Sequence, residues 1–201
     1  IKIKMKKTIY IGITGNRDIS NEQSIFIKEN IENFLKKSLE NKSFEEIIIL
    51  TPLADGVDRI IADVVLDNFS DMRILIPLPF SENLYKNTFG KGLKINNISN
   101  ESSIKDYEDL LEKIKKHNKC DDVYINLKFE KENYLNQNID KQREIRNEQY
   151  ALLGEYLIEK SDILIAVYDR NREIKKGGTI EIVNKFNLKM NRNKKLFEIN
   201  I

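Results

Sequence analysis

The chain of 201 residues is long enough for one substantial hydrophobic core, and we expect a single domain over residues 1–201. Hydrophobic residues make up 40% and charged residues 33% of the sequence, which indicates a globular protein rather than a disordered one. The 34 Lys and Arg side chains nearly cancel the 32 Asp and Glu side chains, so the net charge of +2 does not argue for a nucleic-acid or membrane partner, although it leaves room for a local basic patch.

The sequence contains one cysteine, Cys120, and one histidine, His117, which together exclude a disulfide framework and disfavour a zinc site. They lie three positions apart in a polar run, where an exposed helix end is the expected structure. No apolar run approaches the ~18 residues of a transmembrane helix, and residues 1–7 lack the apolar segment of a signal peptide. We therefore expect a cytoplasmic protein with no metal site.

The first part of the chain alternates strands and helices. Apolar, β-rich runs predict buried strands at residues 8–13, 47–50 and 72–76. Ser20 and Gln23 form a capping box, so a helix should begin there. Its inward face has the helical spacing of three and four and comprises Ile27, Ile31, Phe34, Leu35 and Leu39. The second helix should bury Val57, Ile60, Ile61, Val64 and Val65.

Residues 80–136 interrupt this alternation and predict a lid-like insertion. Helical pieces are expected at residues 81–89 and 104–117, with a polar loop at 94–103 between them. Residues 123–127 alternate like a short strand, whose place in the sheet stays open. Within the first helical piece, Tyr85 and Phe89 lie on one face and could either stack on a ligand or pack into the core.

The alternation returns after the insertion, with a helix at residues 140–159, the most apolar strand at 162–168, a helix from Gly177 to about 186 and a last strand at 195–199. Near-continuous apolar strands that alternate with helices predict a parallel sheet covered on both faces. The expected fold is therefore α/β: a Rossmann-like, doubly wound, mainly parallel sheet with a lid-like insertion after the third strand.

Glycines follow three of the predicted strands: Gly15, Gly56, and the pair Gly177 and Gly178. The carboxyl ends of parallel strands share one edge of the sheet, where ligands bind. Glycine lets backbone N–H groups approach an anion closely, and each of these loops leads to a helix N-terminus, which suits phosphate. The sequence therefore predicts one phosphate-binding cavity at this edge, although each glycine alone could serve a plain turn.

Two motifs resemble those of the DNA-processing protein A family. Residues 13–20, Ile-Thr-Gly-Asn-Arg-Asp-Ile-Ser, resemble its Gly-x-Arg-x-x-Ser turn. Residues 53–62, Leu-Ala-Asp-Gly-Val-Asp-Arg-Ile-Ile-Ala, resemble its Leu-Ala-x-Gly-Ile-Asp-x-x-Ala-His helix start, with Asp63 in place of the histidine.

A third motif, Gly-Gly-Thr-Ile-Glu at residues 177–181, resembles the Gly-Gly-x-Gly-Thr-x-x-Glu element of the Lonely-guy phosphoribohydrolases. Both families belong to the SLOG superfamily, whose Rossmann-like domains bind nucleotides and nucleotide-derived signals. The resemblance spans about residues 8–77 and 140–186 and leaves the middle segment unmatched.

The resemblance implies a set of ligand-binding residues at the predicted edge. Arg17 would pair with phosphate, although it could instead pair locally. Asp58 matches the aspartate of the helix-start motif, or caps its own helix. The phosphate cradle would comprise Gly15, Gly56, Gly178 and Thr179. The remaining predicted ligand-binding residues of the same loops are Thr14, Asn16, Asp55, Asp169 and Gly177.

Glu181 would accept hydrogen bonds from ribose hydroxyls, or complement the dipole of its own helix. One residue separates it from Thr179 where the hydrolases have two, which rotates its side chain by ~100°. The hydrolases carry an arginine on the preceding helix, where this chain has Arg143 and Arg146, followed by Tyr150 as a base-stacking or core residue. Glu181, Arg143 and Arg146 are catalytic candidates only if the protein is an enzyme.

We therefore expect the protein to bind or sense a nucleotide or a nucleotide-derived second messenger, as the resemblance implies for modules of bacterial defence or stress systems. No cofactor other than this ligand is implied, and we expect a homo-oligomer, dimeric or larger. The alternative is an N-glycosidic hydrolase of nucleoside 5'-monophosphates, which the altered spacing of Glu181 disfavours. Single-stranded DNA binding is a further alternative, disfavoured by the near-neutral charge and the absence of tryptophan.

Overall fold

The computed structural model describes residues 8–39, 46–95, 98–190 and 193–201. The predicted packing of the Leu39 side chain and positions 96–97 of the predicted loop lie outside the described residues, as do residues 1–7. In chain order the elements are β1 (Thr8–Gly15), α1 (Asn21–Leu39), β2 (Glu46–Leu50), α2 (Val57–Asn68), β3 (Met72–Leu78), α3 (Glu82–Lys86), α4 (Asn100–Asn118), β4 (Tyr124–Asn126), α5 (Lys131–Leu135), α6 (Ile139–Lys160), β5 (Ile163–Tyr168), α7 (Thr179–Leu188) and β6 (Lys195–Asn200).

The six described strands form one parallel sheet in the order β4-β3-β2-β1-β5-β6, which confirms the predicted α/β Rossmann-like fold. The chain adds β2, β3 and β4 on one side of β1 and then returns to place β5 on its other side. The strand order therefore reverses between β1 and β5, and the crevice at such a switch point is where doubly wound sheets bind ligands.

The first face of the sheet packs against α1, α2 and α4. Its core includes Ile11 and Ile13 of β1, which are fully buried. The predicted inward residues of α1, Ile27, Ile31 and Leu35, are also fully buried. The capping box is confirmed, because the Ser20 amide donates to Gln23 Oε1 (2.9 Å) and the Gln23 amide donates to Ser20 Oγ (3.1 Å).

The second face of the sheet packs against α6 and α7. Leu153 and Leu157 of α6 cover Ile48 and Leu50 of β2. Ile182 and Phe186 of α7 cover Leu164 of β5 in the same way. Apolar side chains therefore cover the sheet on both faces, and the two helices that follow β1 and β5 lie on opposite sides of it.

The segment at residues 80–136 contributes more to the core than its predicted description as a lid suggests. α4 buries Tyr107 and Ile114 completely, and it begins at Asn100, inside the predicted loop, because the Ser99 side chain caps it. β4 pairs with β3 and is the edge strand, which settles the open placement of residues 123–127. Tyr85 and Phe89 pack edge to face at 4.9 Å in the core, so they anchor the segment.

Every helix within the four described ranges is too short or too polar to cross a lipid bilayer.

Candidate functional site

A cavity of about 730 Å³ opens at the carboxyl ends of β1 and β5, where the strand order reverses. Thr14 and Gly15 at the end of β1 form part of its lining. Residues 175–178 border it from the loop before α7, residues 179–180 from the first turn of α7, and residues 91–94 from the segment between α3 and α4. Its apolar lining includes Leu153 and Leu157 of α6. This volume lies in the range of small-molecule sites, which is about 300–1,000 Å³.

The start of α7 presents unpaired hydrogen-bond donors to this cavity. Thr179 and Ile180 line it, and Thr179 Oγ1 lies 3.2 Å from Thr14 Oγ1 at the end of β1. Among the described residues, no acceptor bonds the backbone N–H groups of Thr179, Ile180 and Glu181. These three groups are the free donors of a helix N-terminus, where the positive end of the helix dipole favours an anion.

Glycine is required in the loop that leads into α7. Gly177 has a φ of +72°, and a Cβ at this position would lie 2.7 Å from the backbone nitrogen of Ala151 on α6. The Gly177 amide donates to the carboxylate of Glu181, which also pairs with Lys185 Nζ at 3.1 Å. The hydrogen bond from Gly177 lowers the pKa of Glu181. Glu181 therefore holds the loop in place and does not line the cavity.

The other catalytic candidates also lie away from the cavity lining. Arg146 donates to the Tyr134 hydroxyl (3.1 Å), and Arg143 is exposed on α6. Asp169, predicted as a ligand-binding residue, accepts a hydrogen bond from the Asn171 amide (2.9 Å) in its own turn. The structure therefore does not bring Glu181, Arg143 and Arg146 together at the cavity.

Asp55 is the centre of a buried polar network beside the cavity. Its carboxylate accepts hydrogen bonds from Arg17 Nη2, Ser103 Oγ and the Gly90 amide (3.1 Å), and Arg59 Nη1 lies 3.3 Å away. Burial would raise the pKa of Asp55, but Arg59, Ser103 and Arg17 hold it below its usual value. The carboxylate thus joins the loops after β1 and β2 to the segment after α3.

Arg17 lies between this network and the cavity. Its Nη2 donates to Asp55 and to the Thr88 carbonyl oxygen (2.8 Å), so its partners are distant in the sequence and not the local ones considered from the sequence. Its Nε is buried and has no partner among the described residues, and the side chain lines the cavity with about a third of its surface exposed. Arg17 is therefore placed to contact a ligand in the cavity while it keeps its hydrogen bond to Asp55.

The prediction that Gly15, Gly56 and Gly178 surround one cavity is wrong for Gly56. Gly56 and Asp55 line a smaller cavity of about 200 Å³, which shares Arg17, Asp18 and Leu93 with the larger one. Gly56 has a φ of +79°, and a Cβ there would lie 2.4 Å from the carbonyl oxygen of Arg17. It is therefore packed beneath the loop after β1, so the backbone of that loop separates it from the larger cavity.

Asp58 lines the larger cavity although it is only 6% exposed. Its Oδ2 accepts a hydrogen bond from the Ala54 amide (3.1 Å) in the turn that precedes α2. Burial raises the pKa of Asp58 to about 7, against the opposing effects of the Ala54 amide and Arg17. At neutral pH its carboxyl group is thus partly protonated and can either donate or accept a hydrogen bond.

No family model and no curated protein matches this chain. Across the part of the chain that the structure describes, no group of three or more His, Cys, Asp or Glu side chains is placed to hold a metal ion.

Sequence reasoning missed the cavity residues of the segment after α3, because no motif covers it. Lys91 and Lys94 line the cavity. The backbone at Lys94 is held by Asp18, whose carboxylate accepts hydrogen bonds from the Lys94 amide (2.9 Å) and the Ile95 amide (3.0 Å). The pair Gly90 and Gly92, both at positive φ, was the available signal of a tight turn.

Proposed function

We propose that the protein binds a nucleotide-type ligand in the cavity between β1 and β5, with a phosphate group at the start of α7. The observation that carries this proposal is the set of unpaired backbone N–H groups at Thr179 and Ile180, which line a cavity of about 730 Å³. A helix N-terminus at the switch point of a doubly wound sheet is a recurrent phosphate site. The resemblance to SLOG domains points to the same ligand class.

The part of the lining that α6 contributes suits a flat, largely apolar group such as a nucleobase. Tyr150 lies at the cavity, and its ring is fixed edge to face against Phe80 at 5.4 Å. Leu153 and Leu157 on the same helix add apolar surface. Burial raises the pKa of Tyr150, so its hydroxyl stays protonated at neutral pH and can donate a hydrogen bond. Aromatic and aliphatic walls with a few polar groups are typical of such sites.

The positions of the catalytic candidates favour binding over hydrolysis. Glu181 hydrogen-bonds the Gly177 amide and pairs with Lys185, and it does not line the cavity. Cleavage of an N-glycosidic bond requires groups that stabilise a cationic transition state at the reacting atoms. We therefore place the protein among nucleotide-binding or nucleotide-sensing modules.

Calorimetric titration with AMP tests this proposal when wild type is compared with a variant whose introduced side chain occupies the cavity. Asn147 is exposed on α6 and lines the cavity, so Asn147→Trp should block it without disturbing the core. We expect this variant to bind AMP at least about tenfold more weakly than wild type, which corresponds to about 1.4 kcal/mol. Glu159→Trp is the matched control, because Glu159 is exposed on the same helix outside the cavity.

Equal AMP affinity in wild type and Asn147→Trp would contradict the proposed site. The same samples, incubated with AMP and analysed by chromatography, should release no adenine above background. Steady release that is abolished by Glu181→Gln would support the hydrolase alternative instead.

A further inference from the structure

Basic side chains border the cavity from two different parts of the fold. One group comprises Arg17, Lys91 and Lys94, and the other comprises Arg172, Lys175 and Lys176. The acidic side chains in the same lining are Asp18, Asp58 and Glu173. The cavity is therefore markedly more basic than a chain whose net charge is only +2. Such a concentration of one charge sign in a cleft attracts ligands of the opposite sign.

Several of these cations lack an acidic partner. Among the described residues, the ammonium groups of Lys91, Lys94 and Lys175 pair with no carboxylate. Lys176 Nζ lies 3.8 Å from Glu148, and Arg172 Nε lies 4.0 Å from Asp169, both at exposed positions where such pairs contribute little.

The acidic side chains of the lining neutralise this charge only in part. The lining contains six basic and three acidic side chains, so within it three positive charges have no counter-charge even when all three carboxylates are ionised. Asp58 is partly protonated at neutral pH, because burial raises its pKa to about 7.

The two basic groups are held by different elements of the fold. The segment that carries Lys91 and Lys94 is fixed to the loop after β1 through Asp18, and to the loop after β2 through the bond from the Gly90 amide to Asp55. The loop that carries Lys175 and Lys176 is fixed to α6 and α7, through Gly177. Only the second group lies next to the unpaired N–H donors of α7.

We propose that the ligand of this cavity carries two separate anionic groups of the phosphate type. One group binds at the start of α7 with Lys175 and Lys176, and the other binds to Arg17, Lys91 and Lys94. This inference rests on the proposed function and narrows its ligand class, because it favours a nucleoside bisphosphate or a dinucleotide over a nucleoside monophosphate. A second phosphate would pair with the exposed lysines after α3, which have no carboxylate partner among the described residues.

Calorimetric titration of wild type with adenosine 3',5'-bisphosphate, ADP and AMP tests the inference. We expect the 3',5'-bisphosphate to bind at least about tenfold more tightly than AMP. ADP, whose two phosphates are adjacent, should gain less than the 3',5'-bisphosphate. If ADP gains as much, the two anionic groups need not be separate and the inference is overturned.

Charge-removing variants then assign the two groups. In Lys91→Gln/Lys94→Gln, the affinity for the bisphosphate should fall several-fold more than the affinity for AMP, so that the advantage of the bisphosphate largely disappears. In Lys175→Gln/Lys176→Gln, the affinities for both ligands should fall. Lys131→Gln/Lys160→Gln is the matched control, because both lysines are exposed and lie outside the cavity lining.

The outcomes separate this inference from the proposed function. If AMP binds and the bisphosphate binds no more tightly, the two-anion ligand is overturned while nucleotide binding stands. An equal loss of the bisphosphate advantage in the control variant would also overturn it, because the gain would then reflect the overall charge. Failure of all three ligands to bind would overturn nucleotide binding and the inference together.

Discussion

Arg17, which the sequence predicts to bind phosphate, also has a structural role in the folded protein. Its pairing with Asp55 bridges 38 positions of the sequence, and Ser103 and Gly90 of the unmatched segment complete the same network. The turn motif indicated a cationic residue at the end of β1, but the sequence contains no local signal for its partners. Partners that meet only through the tertiary fold cannot be predicted from motif spacing alone.

Replacement of Arg17 should therefore lower stability as well as ligand affinity. We expect Arg17→Ala to reduce the free energy of unfolding by about 1–3 kcal/mol, because it removes a charge-assisted hydrogen bond to the buried Asp55. Arg17→Lys should restore only part of this loss, because lysine lacks the planar guanidinium. Urea denaturation measures the change. Arg170→Ala is the control, since Arg170 is exposed and pairs with Glu198 only at 3.5 Å.

Unchanged stability of Arg17→Ala, together with weaker AMP binding, would contradict this account. Arg17 would then act on the ligand alone, and the bond to Asp55 would contribute nothing to folding.

Asp58 should give the stability a specific dependence on pH. Burial raises its pKa to about 7, whereas an unfolded aspartate titrates near 3.9, so the folded protein binds this proton more tightly. The contribution of Asp58 to stability is therefore complete below about pH 4 and is lost as the pH rises towards 7. Asparagine does not titrate, and its side-chain oxygen can still accept the Ala54 amide.

We expect the free energy of unfolding of Asp58→Asn, relative to wild type, to increase by about 1–3 kcal/mol between about pH 5 and pH 8. Denaturant unfolding of both proteins across this range provides the measurement. Parallel curves would show that Asp58 is not held protonated in the folded protein.

At the scale of elements, the helices and strands that follow a regular pattern were predictable, and the connections were not. The capping box of α1 and the buried faces of α1 and α2 follow from local spacing. α4 begins earlier than its apolar pattern indicates, because the cap at Ser99 extends it into a polar stretch. The position of Gly56 beneath the loop after β1 depends on packing between two loops, and no local sequence pattern predicts such packing.

The loop before α7 depends on Glu181 for its conformation. We expect Glu181→Ala to weaken AMP binding by about three- to tenfold, because the loop that carries Gly177 must then be ordered by the ligand. Hydrogen exchange of the amides at residues 175–178 should become faster in the variant. Glu155→Ala is the matched control, because Glu155 pairs with Lys185 and Lys189 but not with the Gly177 amide.

If Glu155→Ala weakens binding as much as Glu181→Ala does, the effect arises from the surface ion pairs. The hydrogen bond to Gly177 would then have no specific part in forming the site.

At the scale of the whole molecule, the alternation of apolar strands and helices was sufficient to predict the fold class. The strand order followed only from the structure, and it determines where the cavity lies, because β5 returns to pair with β1. β4 was difficult to place because it has three residues, none of them fully buried, at the edge of the sheet. The sequence did not predict that Lys91 and Lys94 line the cavity, because the position of their segment depends on long-range hydrogen bonds to Asp18.

The most direct test of the central claim is amide chemical-shift mapping of the isotope-labelled protein during titration with AMP. Nucleotide binding between β1 and β5 predicts saturable shifts concentrated at residues 14–17 and 177–180, which surround the free donors of α7. Amides at the far end of α1 and at the start of β6 should stay unchanged. Absence of saturable shifts, or shifts confined to regions outside the cavity, would contradict the account.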